Sequence, residues 1–293
     1  MEWLIVPGLG IILFTLRQVF QDLFHPSESG SLSEFVARQT FNTLRRYPKL
    51  LPDAGPLAII LVIFSWVILI WVGFALMYWP LAPGSFRIEG GKSPMSFTEV
   101  LYFSLEVLTT LGLGDIAPLS TAARMISVVH ALLGFAILTA SISSVVLIHQ
   151  TLARQRSLAR RISLLCRSDE QNDEPFSPTV VYQLAFDLAR TQVDLVHFPI
   201  VYYFHAPERD ASLAFALGWL LRLNEKALAR ENVDGSRKIL RRALDDLTEL
   251  LDRKFLRTNA RNTAAVISAY AHHHLAENAQ EESRTTSLRS QPD

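Results

Sequence analysis

An all-α membrane protein, with a short loop re-entering between two spanning helices, is the fold class that the sequence predicts. Three observations predict it. Leu57 to Trp79 and Met125 to Ile148 are long apolar runs without a formal charge, each able to cross a hydrocarbon core of about 30 Å. Between them lies Thr109-Thr110-Leu111-Gly112-Leu113-Gly114-Asp115, too rich in glycine to continue either run. Beyond residue 150 apolar residues recur at helical spacing, without the alternation of strands.

Composition agrees. The chain has 293 residues, 49% of them hydrophobic, yet 19% are charged. A mean hydropathy of +0.22 therefore reflects an apolar first half joined to a polar second half. The formal net charge of zero gives no bulk attraction to nucleic acid. The single cysteine, Cys166, excludes an intrachain disulfide framework and any multi-cysteine metal site, and reads as a small buried apolar residue. No nucleophile paired with a base, no metal-ligand spacing and no phosphate loop is present, so the chain does not read as an enzyme.

Residues 1–24 form the first element. Met1-Glu2 lacks the basic start of a signal peptide. Leu, Ile, Val and Phe between 3 and 24 favour insertion by roughly 4 to 8 kcal/mol, against roughly 3 for Arg17, which can snorkel. A spanning helix is therefore expected, with an interfacial helix as the alternative. Residues 25–56 read as a cytoplasmic linker containing an amphipathic helix, opened by the capping box Ser31-x-x-Glu34. Leu32, Val36, Leu44 and Tyr47 share a stripe, with Arg38, Arg45, Arg46 and Lys49 off it. That pattern suits a helix resting on anionic membrane lipids or a solvated linker helix. Asp53-Ala54-Gly55-Pro56 then breaks it.

Leu57 to Trp79 is the clearest span, closed by Tyr78-Trp79-Pro80. Pro83 to Pro94 reads as an extracellular turret. A second capping box, Ser96-x-x-Glu99, opens a short helix over about 97–109. Its negative C-terminal end would face the glycine-rich strip. In the last span, hydroxyls between Thr139 and Ser144 either line a wet cavity or bond back to their own helix. His130 is that span's one ionisable group, either a sensor or a packed histidine. Arg38, Arg45, Arg46 and Lys49 on one side, and Arg154, Arg156, Arg160, Arg161 and Arg167 on the other, place both flanks in the cytoplasm. The chain is then a multi-pass protein of the inner membrane, its N-terminus outside and its C-terminus cytoplasmic. Residues 151–279 read as a cytoplasmic helical bundle and 280–293 as a disordered tail. His272-His273-His274 diverge by about 100° each on a helix, so they do not converge on one metal and read as a solvated face.

The strip itself carries the chemistry. Two glycines one residue apart permit backbone angles that other residues avoid, so successive carbonyls can face one axis. Such oxygens, with a threonine hydroxyl in the row, can replace the water around a monovalent cation. A single strip cannot enclose an ion, which implies a symmetric oligomer.

Here the segment resembles the selectivity filter of potassium channels, usually T-V-G-Y-G-D and here T-L-G-L-G-D. The resemblance covers about residues 57–150. Ser104-Leu105-Glu106-Val107-Leu108-Thr109-Thr110 is similar to the pore helix of the simple proton-gated bacterial channel. Gly134, twenty residues beyond Gly114, falls where that family has its inner-helix hinge, although glycine there also permits close packing. The resemblance implies a homotetramer conducting K+ as the transported ion, with no cofactor. It implies K+ sites built by the carbonyls of Thr110, Leu111, Gly112, Leu113 and Gly114, with the Thr110 hydroxyl innermost. Thr109, Glu106 and Asp115 would support the filter, the last two as a pair sharing a proton or a water. Leu113 departs from the usual tyrosine, which bears on K+ over Na+ discrimination. The alternatives are a weakly selective cation channel and a membrane-anchored scaffold whose active part is the C-terminal region. No stimulus or cytoplasmic regulator is specified by the sequence.

Overall fold

The computed structural model describes residues 2–24, 32–44, 47, 50, 53–90, 95–171, 176–206, 208–228, 235–258, 260 and 262–275. The chain forms two compact units: Met1–Arg38 with Leu57–Leu147, and Gln39–Pro56 with Ile148–Asp293. Among the described residues, three helices are long and apolar enough to cross a membrane.

The first unit opens with α1 (Ile5–Phe24) after a 3-10 turn. It docks on α3 (Ala54–Tyr78) through two glycines. A Cβ on Gly8 would lie 2.7 Å from the Gly73 carbonyl oxygen, and one on Gly73 would lie 3.2 Å from that of Gly8. Small residues let two helices in lipid approach this closely. Between α1 and α3 comes α2 (Leu32–Leu44). Its first N–H, on Leu32, is capped by the Gln18 side chain at 3.0 Å, and Ser33 donates to Asp22. Ser31, which would open the expected capping box, lies outside the described residues. So do Arg45, Arg46 and Lys49 of the basic cluster.

α3 begins at Ala54, three residues before the expected start, because Pro56 is accommodated in a first helical turn. After Trp79–Leu81 the chain makes a short strand, β1 (Phe86–Ile88), antiparallel to β2 (Ile116–Pro118). The sequence pattern gives no sign of these strands, because three residues are too short to show a period. α4 (Phe97–Leu108) has the predicted capping box: Ser96 Oγ accepts from Glu99 N–H at 3.3 Å, and Glu99 Oε2 from Ser96 N–H at 2.6 Å. α5 (Thr121–Gln171) is a single helix of 51 residues. It runs well past the expected end at Ile148, since neither proline nor glycine interrupts 149–171.

The second unit contains α6 (Pro178–His197), α7 (Leu213–Leu228), α8 (Gly235–Leu251) and α9 (Thr263–Leu275). α6 and α8 share its largest helix–helix interface. Leu184, Leu188 and Leu195 are buried on α6, and Leu240, Leu244, Leu247 and Leu251 on α8, the helical stripe that the sequence predicts there. Cys166 is buried and forms no disulfide among the described residues. Val233, Asp234 and the tail 280–293 lie outside the described residues.

One expectation about a face is corrected in this unit. Phe41 on α2, outside the expected stripe, is 1% exposed, packed against Tyr203, His205 and His273 at centroid distances of 5.2, 5.8 and 5.2 Å. Of the stripe itself, Leu44 is buried and Tyr47 exposed. The three adjacent histidines do not form a solvated face: His272 is exposed, but His273 and His274 turn inward. Tyr202 and His273 Nδ1 are 3.1 Å apart, and the His274 ring meets Tyr202, Tyr270 and His205 within 4.9 Å.

Candidate functional site

The site is the backbone between α4 and β2. Thr109 caps α4, its N–H and its hydroxyl both bonding to the Leu105 carbonyl, at 3.0 and 2.9 Å. Thr110 N–H bonds to Val107 O and Leu111 N–H to Glu106 O, each at 3.0 Å. These bonds hold Thr110 at φ +55°, a left-handed conformation that costs a non-glycine residue roughly 1–2 kcal/mol. Gly112 and Gly114 follow at φ +60° and +83°, whereas Leu111 and Leu113 keep negative φ. Alternating hand along a strip turns its N–H groups to one side and its carbonyls to the other. All five residues from Thr110 to Gly114 are exposed in the single chain. Among the described residues, no backbone donor reaches the carbonyl oxygens of Thr110, Leu111, Gly112, Leu113 or Gly114. Paired carbonyls are the rule when backbone is buried, so this row is built to face something other than its own chain.

Glu106 reaches the strip directly. It is 5% exposed, and its Oε1 accepts from Gly114 N–H at 3.1 Å. Glu106 Oε2 and Asp115 Oδ1 are both buried and lack a hydrogen-bond partner. Tyr102 lies beside Asp115. The Asp115 carbonyl accepts from Glu89 N–H at 2.9 Å, so the β1–β2 ladder fixes the strip's outer end. The strip is thus anchored at one end by α4 and at the other by Glu106 and the ladder.

Behind it, α3 and α4 are tied twice: Trp71 Nε1–H donates to Leu101 O at 2.8 Å, and Ser104 Oγ–H to Trp71 O at 2.9 Å. Sequence reasoning missed Trp71; its only signal was a tryptophan well inside a span, where a buried indole N–H needs a partner. Gly134 lies against the end of α4, where a Cβ would collide with the Leu108 carbonyl. α5 runs unbroken through that position. His130 is fully buried, stacked on Phe74 at 3.8 Å, its Nδ1 3.4 Å from the Tyr78 hydroxyl. Tyr78 in turn packs edge-on against Phe86 and Phe103. His130 is thus a packed histidine. Thr139, Ser141 and Ser144 each bond to the carbonyl four residues back, at 2.9, 2.8 and 2.8 Å, which decides between the two readings of those hydroxyls.

Comparison with known proteins reaches the same segment. The ion channel family matches residues 59–149. The uncharacterized membrane protein YdjJ of Bacillus subtilis (strain 168) is 24% identical over 226 residues, covering 72% of this chain. The match spans 66% of that protein's own length, just under two thirds. No solved structure matches the chain.

Proposed function

We propose that four copies of the chain assemble into a K+ channel, a reading supported by the match of residues 59–149 to the ion channel family. The observation that carries this reading is the strip Thr110–Gly114, whose φ alternates in sign and whose carbonyls have no backbone donor. Four such strips around an axis supply rings of oxygens in place of an ion's hydration shell. The Thr110 hydroxyl adds the innermost ring, and the C-terminal end of α4 adds negative potential behind it. K+ is the transported ion, and the reading needs no cofactor and no catalysis.

Assembly is supported by exposure. The apolar window of α5 is only 17% buried within one chain, with Val128, Leu132, Phe135, Leu138 and Ile142 uncovered. Lipid takes some of this surface and neighbouring copies the rest. Glu106 and Asp115 hold the filter's outer end. Their two unpartnered oxygens suit the shared proton or water that the resemblance implies. Gly134 lets α5 lie against α4 and is the position at which α5 would bend. The inner membrane, with the second unit cytoplasmic, is the location that the arginine distribution favours.

A second reading, a weakly selective cation channel, rests on Leu113. Its side chain is 62% exposed and has no hydroxyl to tie the strip to α4. Reversal potentials of the purified protein in bilayers, with K+ on one side and Na+ on the other, separate the two. A potential near the K+ equilibrium value supports selectivity, and a potential near zero replaces it with the weakly selective pore. Absence of single-channel current from reconstituted tetramers removes both.

A further inference from the structure

The second unit contains a cavity of about 40 Å³, room for a few waters or one small anionic group. We propose that it binds a soluble oxyanion, a phosphate or carboxylate group, through Arg156, Arg209 and the first turn of α7.

Four features of the cavity carry this. Its floor is the start of α7, with Ser212, Leu213 and Ala214 in its lining. The N–H groups of Leu213 and Ala214 have no partner among the described residues, and a helix of 16 residues brings positive potential to that end. Its charged walls are Arg156 and Arg209. Arg209 is braced over the Phe215 ring at 4.7 Å, while Arg156 forms no ion pair among the described residues. No Asp or Glu lines the cavity. The neighbouring acids point elsewhere, Glu208 pairing with Arg160 and Asp210 with Arg167. The remaining feature is His274, also in the lining, whose buried Nε2 has no hydrogen-bond partner. An enclosed imidazole nitrogen left unpaired costs about 1–3 kcal/mol, and an anion oxygen in the cavity removes that cost by accepting its N–H.

Two arginines, free helix N–H groups and an imidazole donor, without a carboxylate, select an oxyanion over a cation. Leu152, Gln155 and Arg156 belong to α5. An occupant therefore ties that helix to α7 and α9 within the unit. Its effect on conduction rests on the channel reading; its binding does not.

The experiment uses the full chain, purified in phosphate-free detergent, and follows thermal unfolding while inorganic phosphate or acetate replaces chloride at constant ionic strength. At least one of the two probes is expected to raise the Tm of the wild type by mass action. Arg156→Gln and Arg209→Gln are expected to weaken the apparent affinity for that probe about tenfold. Arg253→Gln, exposed and outside the cavity, is expected to respond as the wild type does. A wild type whose Tm follows ionic strength alone overturns the proposal. So does an Arg156→Gln protein with undiminished response. Neither result requires current, so a non-conducting protein that binds the probe, and a conducting one that does not, are told apart.

Discussion

On the readings proposed above, Thr110–Gly114 and the cavity at α7 both offer backbone dipoles to an ion, and they offer opposite ends. The strip turns out carbonyls, the oxygens that a cation needs. The first turn of α7 turns out N–H groups, the donors that an anion needs. They differ as much in how the chain builds them. The strip is one contiguous stretch, so its chemistry is local and its meaning survives in a short motif. The cavity gathers Arg156 from α5, His274 from α9, and His205, Arg209 and Ser212 from the stretch between α6 and α7, and no stretch of sequence announces it. The comparison teaches that a site made of backbone is legible in the text, and a site made of convergent side chains is not.

The largest test of that difference is Gly112→Ala. Nothing lies within 4 Å of a Cβ placed there, so the substitution meets no neighbour within the chain. It must still hold φ +60°, at roughly 1–2 kcal/mol per copy, or about 4–8 kcal/mol over four copies. Loss of K+-selective current is expected, with helix content by circular dichroism unchanged. Unaltered selectivity would remove the strip from the ion path.

Gly134→Ala comes next and separates packing from bending. Its methyl would collide with the Leu108 carbonyl, and overpacking of this kind costs about 1–3 kcal/mol. The expected result is a lower Tm of the assembled protein together with reduced open probability. A change in gating at unchanged Tm would make Gly134 a hinge alone.

The fold was legible to a similar degree and for the same reason. The spans, the Ser96–Glu99 capping box and the α8 stripe follow from local periodicity and hydrogen-bond chemistry. The β1–β2 ladder was not, because three residues show no period. The Gly8–Gly73 crossing was not, because nothing local says which glycine meets which. His273 and His274 were misplaced because helical divergence forbids a shared metal but does not say that the face is wet. Tyr202, 71 residues away along the chain, decides that, together with His205.

Glu106 gives a smaller and sharper test, since it is a side chain serving a backbone site. Glu106→Gln can still accept from Gly114 N–H, whereas Glu106→Ala leaves that donor unpaired, a loss of about 1–3 kcal/mol. Faster filter inactivation is expected for Ala. For Gln, a retained bond without the carboxylate charge should leave inactivation closer to wild type. Equal behaviour of the two variants would assign the role to charge rather than to the bond.

The smallest effect concerns the side-chain site and runs the other way with pH. His274 is held below its ordinary value of 6.5, by burial first and then by the nearby His205 and His273. His205 is lowered by burial, with the Tyr203 backbone partly opposing. Tyr202, Tyr270, Arg156 and Arg209 complete the surroundings, and none supplies a negative charge near neutrality. The unfolded chain therefore binds more protons than the folded one as pH falls below 6.5. The stability that these histidines contribute is complete above that value and is lost as pH falls through their lowered pKa values. An oxyanion beside them favours the protonated form and should recover part of that loss. Melts at about pH 8 and about pH 5.5, with and without phosphate, should show phosphate raising the Tm more at the lower pH. A phosphate effect of equal size at both would detach the histidines from the anion and leave the arginines and the helix end to hold it alone.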